Sequence, residues 1–191
     1  MCISRRQRGM TLIELIAFIV IVSVALVGVL TVLNVTAKSS GDPMIRKQML
    51  AVAEAVLEEV MLQPFTWCDP DDRSAATATS ATLDATATDP TQCWDAVEAI
   101  GPETVAGNTD TRLSATSPLD NVSDYNGTAI TTGITGTALP TGYSAAVSVA
   151  QSALNGIAAT ESLLITVTVS HAGDSLILQG YRTRYSPNSL P

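Results

Sequence analysis

The sequence predicts an α+β fold, a long kinked N-terminal hydrophobic helix packed on an antiparallel β-sheet with a variable loop between them, and three stretches carry that expectation. Leu15 to Leu33 is an apolar run of nineteen residues without a charge. Met44 to Leu62 places Ile45, Met49, Val52, Ala53, Val56 and Val60 at helical spacing, with Arg46, Lys47, Glu54, Glu58 and Glu59 among them. Near the C-terminus, Tyr143 to Gln151, Ser162 to Ser170 and Ser175 to Tyr185 alternate apolar with polar or small residues, the period of half-buried strands.

The first helix is long enough to cross a bilayer. At about 1.5 Å per residue its uncharged core reaches roughly 28 Å, close to the thickness of the hydrocarbon layer. Arg5, Arg6 and Arg8 stand immediately before it, so the positive end stays cytoplasmic and the rest of the chain faces outward. Glu14 is the anomaly. An acid costs about 2.5 to 3.5 kcal/mol at the centre of a span and needs a partner, and no lysine or arginine follows it within the run. A cut after Gly9 would supply one, because Met10 would then carry a cationic α-amino group one helical turn from Glu14 on the same face. Between packed neighbouring helices that pair would also fix axial register.

The residues Gly9, Met10, Thr11, Leu12, Ile13 and Glu14, behind a basic head and ahead of the span, closely resemble the processing site of type IV prepilins and type II secretion pseudopilins. The resemblance implies that a prepilin peptidase cleaves after Gly9 and methylates Met10, and that Glu14 pairs with the amine of a neighbouring subunit. Met10 stands where this family most often has Phe. Residues 1–9 become the leader, 10–37 the transmembrane and filament-core helix, and 38–191 the extracytoplasmic head. The implied partners are the peptidase, other major and minor pilins and the inner-membrane assembly platform. The implied location is the inner membrane before assembly and the pilus at the cell surface after it. A secretory signal cut at Val35-Thr36-Ala37 would require a shorter apolar core and leaves Glu14 unexplained. A plain membrane anchor would have Glu14 snorkel to the interface.

Composition agrees with a single modest outer domain in a chain of 191 residues. Arg5, Arg6 and Arg8 account for three of the 10 basic residues, so a chain cut after Gly9 has 7 basic against 18 acidic side chains, a balance of −11. Such a surface argues against a nucleic-acid partner. Cys2 leaves with the leader, and Cys68 and Cys93 remain as a matched pair in an oxidising compartment, read as a disulfide that stabilises the fold by roughly 3 to 4 kcal/mol.

Between the two helical stretches, NVTAKSSGDP predicts an interruption, with Asp42 as N-cap and Pro43 at the first position of a second helix, 43–63, which Pro64 ends. The Glu54, Glu58 and Glu59 cluster reads as a solvated face. The run DPMIRKQMLAVAEAVLEEVMLQPFTWCDPDD resembles the minor pilins of the mannose-sensitive haemagglutinin (MSHA) pilus system, and the closing GYRTRYSP resembles their last strand. Asp69, Asp71 and Asp72, with Asp84, Asp89 and Asp95 nearby, would suit calcium only if several converged. They lack EF-hand spacing and read as a solvated turn.

The segment SAATATSATLDATATDP reads as a mobile loop pinned at its base, and Trp67 and Trp94 as packing around the disulfide. Gly101 to Gly142 supports turns and short irregular strands, and His171-Ala172-Gly173-Asp174 a hairpin turn.

His171 is the only histidine, and neither a phosphate-binding glycine loop nor zinc-ligand spacing is present. The sequence therefore argues against an enzyme and assigns no cofactor or metal. The expectation is a minor type IV pilin of the MSHA type that joins or primes a pilus used in surface attachment. Two alternatives stand beside it, a minor pseudopilin of a type II secretion system and a membrane-anchored adhesin with a binding pocket at Trp67 and Trp94.

Overall fold

The computed structural model describes residues 9, 11–105 and 108–187, with the side chains of residues 35–42, 105 and 108 left aside. Its contacts divide the chain into two units, Met1–Ile45 and Arg46–Pro191.

One helix, α1, runs Leu12–Leu62. The interruption and restart expected at Asp42-Pro43 does not occur, and Pro43 lies inside the helix. Proline there removes one N–H from a ladder that continues on both sides. At the N-terminus Thr11 acts as the cap: its carbonyl accepts from Leu15 N at 3.2 Å and its Oγ1 from Glu14 N at 3.4 Å. Within the first unit, Leu12–Asn34 forms a 23-residue stretch of mean hydropathy 3.0, all exposed except half-buried Val22. Its few hydroxyls bond back to their own helix, Ser23 to the Ile19 carbonyl at 2.7 Å and Thr31 to that of Val27 at 2.8 Å. A hydroxyl satisfied in this way is compatible with an apolar surrounding.

In the second unit, Met49, Ala53, Val56 and Val60 are buried along one seam of α1, at the spacing that the periodicity predicts. Beyond it come a small hairpin, β1 (Thr104–Val105) and β2 (Asn108–Thr109), and a four-stranded antiparallel sheet in the order β3 (Ala129–Ile130), β4 (Tyr143–Gln151), β5 (Ser162–His171), β6 (Asp174–Thr183). β4 coincides with its expected limits, and β5 and β6 differ from theirs by one or two residues at the ends. The register stacks Val147 on Val167 and Leu178, and Ala145 on Val169 and Leu176, so one face of the sheet is apolar. Ala145, Val147, Val149, Leu163, Ile165, Val167 and Val169 are buried, while the alternating side chains of β4 are exposed and those of β5 half-buried. The β5–β6 turn pairs His171 with Asp174 and has positive φ at Ala172 and Gly173, 51° and 91°, as a two-residue hairpin requires.

Helix and sheet meet at Gly180 on β6. A Cβ at that position would lie 3.3 Å from Leu57 Cδ1 and 3.6 Å from Met61 Sδ, so the absence of a side chain lets α1 approach the strand. Two arginines at the end of β6 hold the segment that follows α1. Arg182 donates to the Gln63 carbonyl at 3.1 Å. Arg184 donates to the Thr66 carbonyl, pairs with Glu161 at 3.3 Å and lies 3.8 Å from the Phe65 ring centre and 4.0 Å from that of Trp67.

Glu59 departs from expectation. Glu54 and Glu58 are exposed, but Glu59 is nearly covered and makes a two-pronged pair with Arg112, at 2.7 and 2.6 Å, with Tyr125 Oη donating to it at 3.0 Å. Arg112 also reaches the Thr132 carbonyl at 2.7 Å. A single charge pair thus ties α1 to the middle of the chain, and it has no local signature because the partners lie 53 residues apart.

Two outcomes follow for thermal or denaturant unfolding. Gly180→Leu should cost about 1 to 3 kcal/mol by forcing Leu57 and Met61 aside, and Gly180→Ala less, because only the tip of Leu57 must move. Arg112→Met should cost about 3 to 5 kcal/mol because it strands a covered carboxylate. A loss below about 0.5 kcal/mol in either Gly180→Leu or Arg112→Met would show that the contact in question does not hold the helix.

Candidate functional site

Two groups of residues are candidates. The first is the N-terminal motif. Gly9 is exposed, and a Cβ there would meet nothing within 4 Å. Met10 and the leader arginines lie outside the described residues. Glu14 is exposed in the first turn of α1, where a negative charge faces the positive end of the helix dipole. Its backbone N–H is the one capped by Thr11, so Thr11 and Glu14 hold the positions of a capping box. That local role was legible in Thr11-Leu12-Ile13-Glu14 but went unread, because the acid drew attention as a charge rather than as a helix start.

The second group centres on the disulfide. Cys68 and Cys93 are bonded, with both residues fully buried beside Ala75 and Ala78 and with Trp67 and Val97 packed against them. The segment between the cysteines is held along its length rather than only at its base. Asp72 accepts from Ser74 N and Oγ and from the amides of Asp95 and Ala96, and Asp84 accepts from the amides of Thr86, Thr88 and Asp89. Burial pushes the Asp72 carboxyl up, but these four donors outweigh it and hold it at about 2. Trp94 Nε1 donates to the Asp89 carbonyl at 2.9 Å, and Arg73 lies 5.3 Å from its ring centre. Both indoles are therefore engaged within the head. His171 stacks on Tyr143 with ring centres 4.1 Å apart.

Beside the disulfide the fold gathers acids. Cys68 bridges Val97, with Glu98 N donating to the Trp67 carbonyl and Asp69 N to that of Ala96, so Asp69 and Glu98 become neighbours. The β1–β2 hairpin brings Asp110 N to the Glu103 carbonyl at 3.0 Å. Gly101 N donates to the Ser123 carbonyl, which draws in the short 3-10 turn Ser123–Tyr125 and with it Asp124. One carboxylate oxygen from each of Glu98, Glu103 and Asp124 lies within 4.8 Å of the others, and the same holds for Asp69, Glu103 and Asp110. Glu103 is common to both triads.

Asp69 is 3% exposed and Asp124 1%, so the solvated turn expected at Asp69 to Asp72 is instead a covered one, with only Asp71 exposed. Asp84, Asp89 and Asp95, grouped with them by sequence, go elsewhere: Asp84 and Asp89 cap their own turns and Asp95 pairs with Arg73 at 2.9 Å. The members that sequence reading missed, Glu98, Glu103, Asp110 and Asp124, are single acids at unrelated spacings with no local signature.

Burial raises the carboxyls of Asp69, Glu98, Asp110, Asp120 and Asp124, and like charges raise them further. Asp69 is pushed up to about 6, with Glu103 and Asp110 adding to burial, and Asp120 to about 7, with Asp69 adding to it. Glu98 and Asp124 are also raised, by burial first, then Glu98 by the charges of Asp124 and Glu103 and Asp124 by the neighbouring Glu103 carboxyl. The ion pairs among the described residues, Arg73–Asp95, Arg112–Glu59 and Arg184–Glu161, include no member of the two triads.

Residues 4–30 match the family model of the prokaryotic N-terminal methylation motif. Neither a curated protein nor a solved structure matches the chain. The matched motif, the exposed apolar helix behind it and the helix-and-sheet head support a type IV pilin-like or pseudopilin chain.

The charge cluster fixes a pH dependence. Carboxyls raised in the folded state hold protons that the unfolded chain, titrating near 4, has already lost, so stability falls as pH rises through their folded values. With chelator present, unfolding at pH 8 should require less free energy than at pH 5, by on the order of 2 to 4 kcal/mol. A flat or rising stability over that window, measured by denaturant melts, would contradict the packing of these acids.

Proposed function

We propose that the chain is a minor type IV pilin, closest in kind to those of the MSHA pilus, which enters the inner membrane, is cut after Gly9, is methylated at Met10 and joins or primes a filament. The observation that carries the reading is the order of parts: a methylation motif leads directly into an exposed, predominantly apolar stretch of 23 residues, and a separately folded head follows. Such a helix needs lipid before assembly and other helices after it. Glu14, at the open end of α1, then meets the Met10 amine of a neighbour, which sets register and neutralises both charges. Leader residues 1–9 stay cytoplasmic and the head, from residue 38 on, lies outside. The partners are the prepilin peptidase, other pilins and the assembly platform.

A minor pseudopilin of a type II secretion system would use the same motif and the same helix, and the neighbouring genes separate the two. The anchored-adhesin alternative needs a binding pocket in the Trp67 and Trp94 region. Their engagement with Arg184, Arg73 and the Asp89 carbonyl weighs against it.

Intact mass and N-terminal sequencing of the protein, expressed with and without a prepilin peptidase, test this proposal. The reading expects a peptidase-dependent product that begins at methylated Met10. A product that begins at Lys38, or an uncut chain under both conditions, would overturn it.

A further inference from the structure

The two acidic triads share Glu103, and each has the dimensions of a cation site. Oxygens bound to one Ca2+ at about 2.3 to 2.6 Å can stand no more than roughly 5 Å apart. Each triad falls inside that limit, with all its oxygens within 4.8 Å. Proximity of acids alone would carry little weight, but two further oxygens make the case. Asp124 is 1% exposed, and while its Oδ2 accepts from the amides of Asp120 and Asn121, its Oδ1 is covered and, among the described residues, has only acidic side chains and no basic or amide donor facing it. Glu98 has Oε1 accepting from Ser123 Oγ at 2.6 Å and a covered Oε2 with no donor among the described residues. An uncompensated buried carboxylate oxygen is expensive, and two in one triad mark a place where a positive group is missing. Arg184, whose charge interacts with that of Glu98, is already engaged by Glu161 and the Thr66 carbonyl.

We propose that Glu98, Glu103 and Asp124 form the inner ligands of a Ca2+ site, with Asp69 and Asp110 adjoining through Glu103 and adding negative charge. The donors are all oxygen and mostly charged, which selects a hard cation over zinc or copper. The connection that carries Glu98 and Glu103 and the Ser123–Tyr125 turn supply them, and such irregular backbone adapts to the high coordination of Ca2+ more readily than to the strict octahedron of Mg2+. Bound Ca2+ would join the disulfide neighbourhood through Glu98, the β1–β2 hairpin through Glu103 and the Ser123–Tyr125 turn through Asp124. That turn is itself tied to the end of α1, where Val122 N donates to the Pro64 carbonyl at 3.1 Å. Cation binding would thereby set the stability of the region between helix and sheet. The inference does not rest on the filament reading.

The test uses the full chain in detergent, stripped with EDTA, dialysed and titrated with CaCl2 or MgCl2, and followed by calorimetry and by thermal unfolding of the head. Saturable binding of Ca2+ is expected, with the melting temperature rising by about 3 to 6 °C at a free concentration near ten times Kd. Glu103→Gln and Asp124→Asn should lose that rise, whereas Asp95→Asn, outside the cluster, should keep it. Because an altered ligand could unfold the head, Tb3+ luminescence of the unaltered protein serves as the second measurement, with emission displaced by Ca2+. Absence of saturable Ca2+ binding, an equal response to Mg2+, a shift retained in Glu103→Gln, or Tb3+ emission that Ca2+ fails to displace would overturn the site.

Discussion

The chain is organised around one exposed, predominantly apolar stretch of 23 residues in α1. From Leu12 to Asn34 the side chains are exposed except for half-buried Val22, and water is a poor solvent for such a surface. The helix makes the segment tolerable to lipid because every interior backbone group bonds within it, and Ser23 and Thr31 bond back to the same ladder. The only charge in the apolar stretch is Glu14, at its N-terminal end, where the helix dipole favours an acid. A cap at Thr11 starts the helix two residues past Gly9, so a cut there would remove the leader and leave the helix intact.

The second unit answers the opposite requirement, since it keeps its own stretch of α1 soluble by covering one seam of it. The apolar face of the sheet is continuous across β4, β5 and β6, and Gly180 gives α1 room against β6. Charged groups then fasten the remaining pieces. Glu59 with Arg112 joins α1 to the middle segment, and Arg182 and Arg184 join the last strand to the residues that follow α1. A covered ion pair contributes chiefly by making its own disruption costly, which serves a domain built from one helix, one small sheet and long connections.

How much of this the sequence revealed depended on the range of the interactions. The seam Met49, Ala53, Val56 and Val60, the alternation in β4 and β5 and the hairpin at Ala172-Gly173 are set by neighbours a few residues away, and each was readable. The Cys68–Cys93 bond was readable because the count of cysteines left one pairing. Glu59 was misread as solvated because its partner is remote, and the break at Asp42-Pro43 was expected because proline and glycine are local breakers that a long helix overrode. The acidic triads were illegible for the first reason in stronger form. Glu98, Glu103, Asp110 and Asp124 meet only after the disulfide, the small hairpin and the 3-10 turn are in place.

In the proposed filament the exposed helix is kept after processing and buried among neighbouring helices, with Glu14 as the charge that admits it. Glu14→Ala compared with the unaltered protein in peptidase-containing cells, each quantified in sheared filaments and in the inner membrane, tests this arrangement. Glu14→Ala should be cut at the same place but stay in the membrane fraction. Equal recovery of both proteins in the filaments would contradict it.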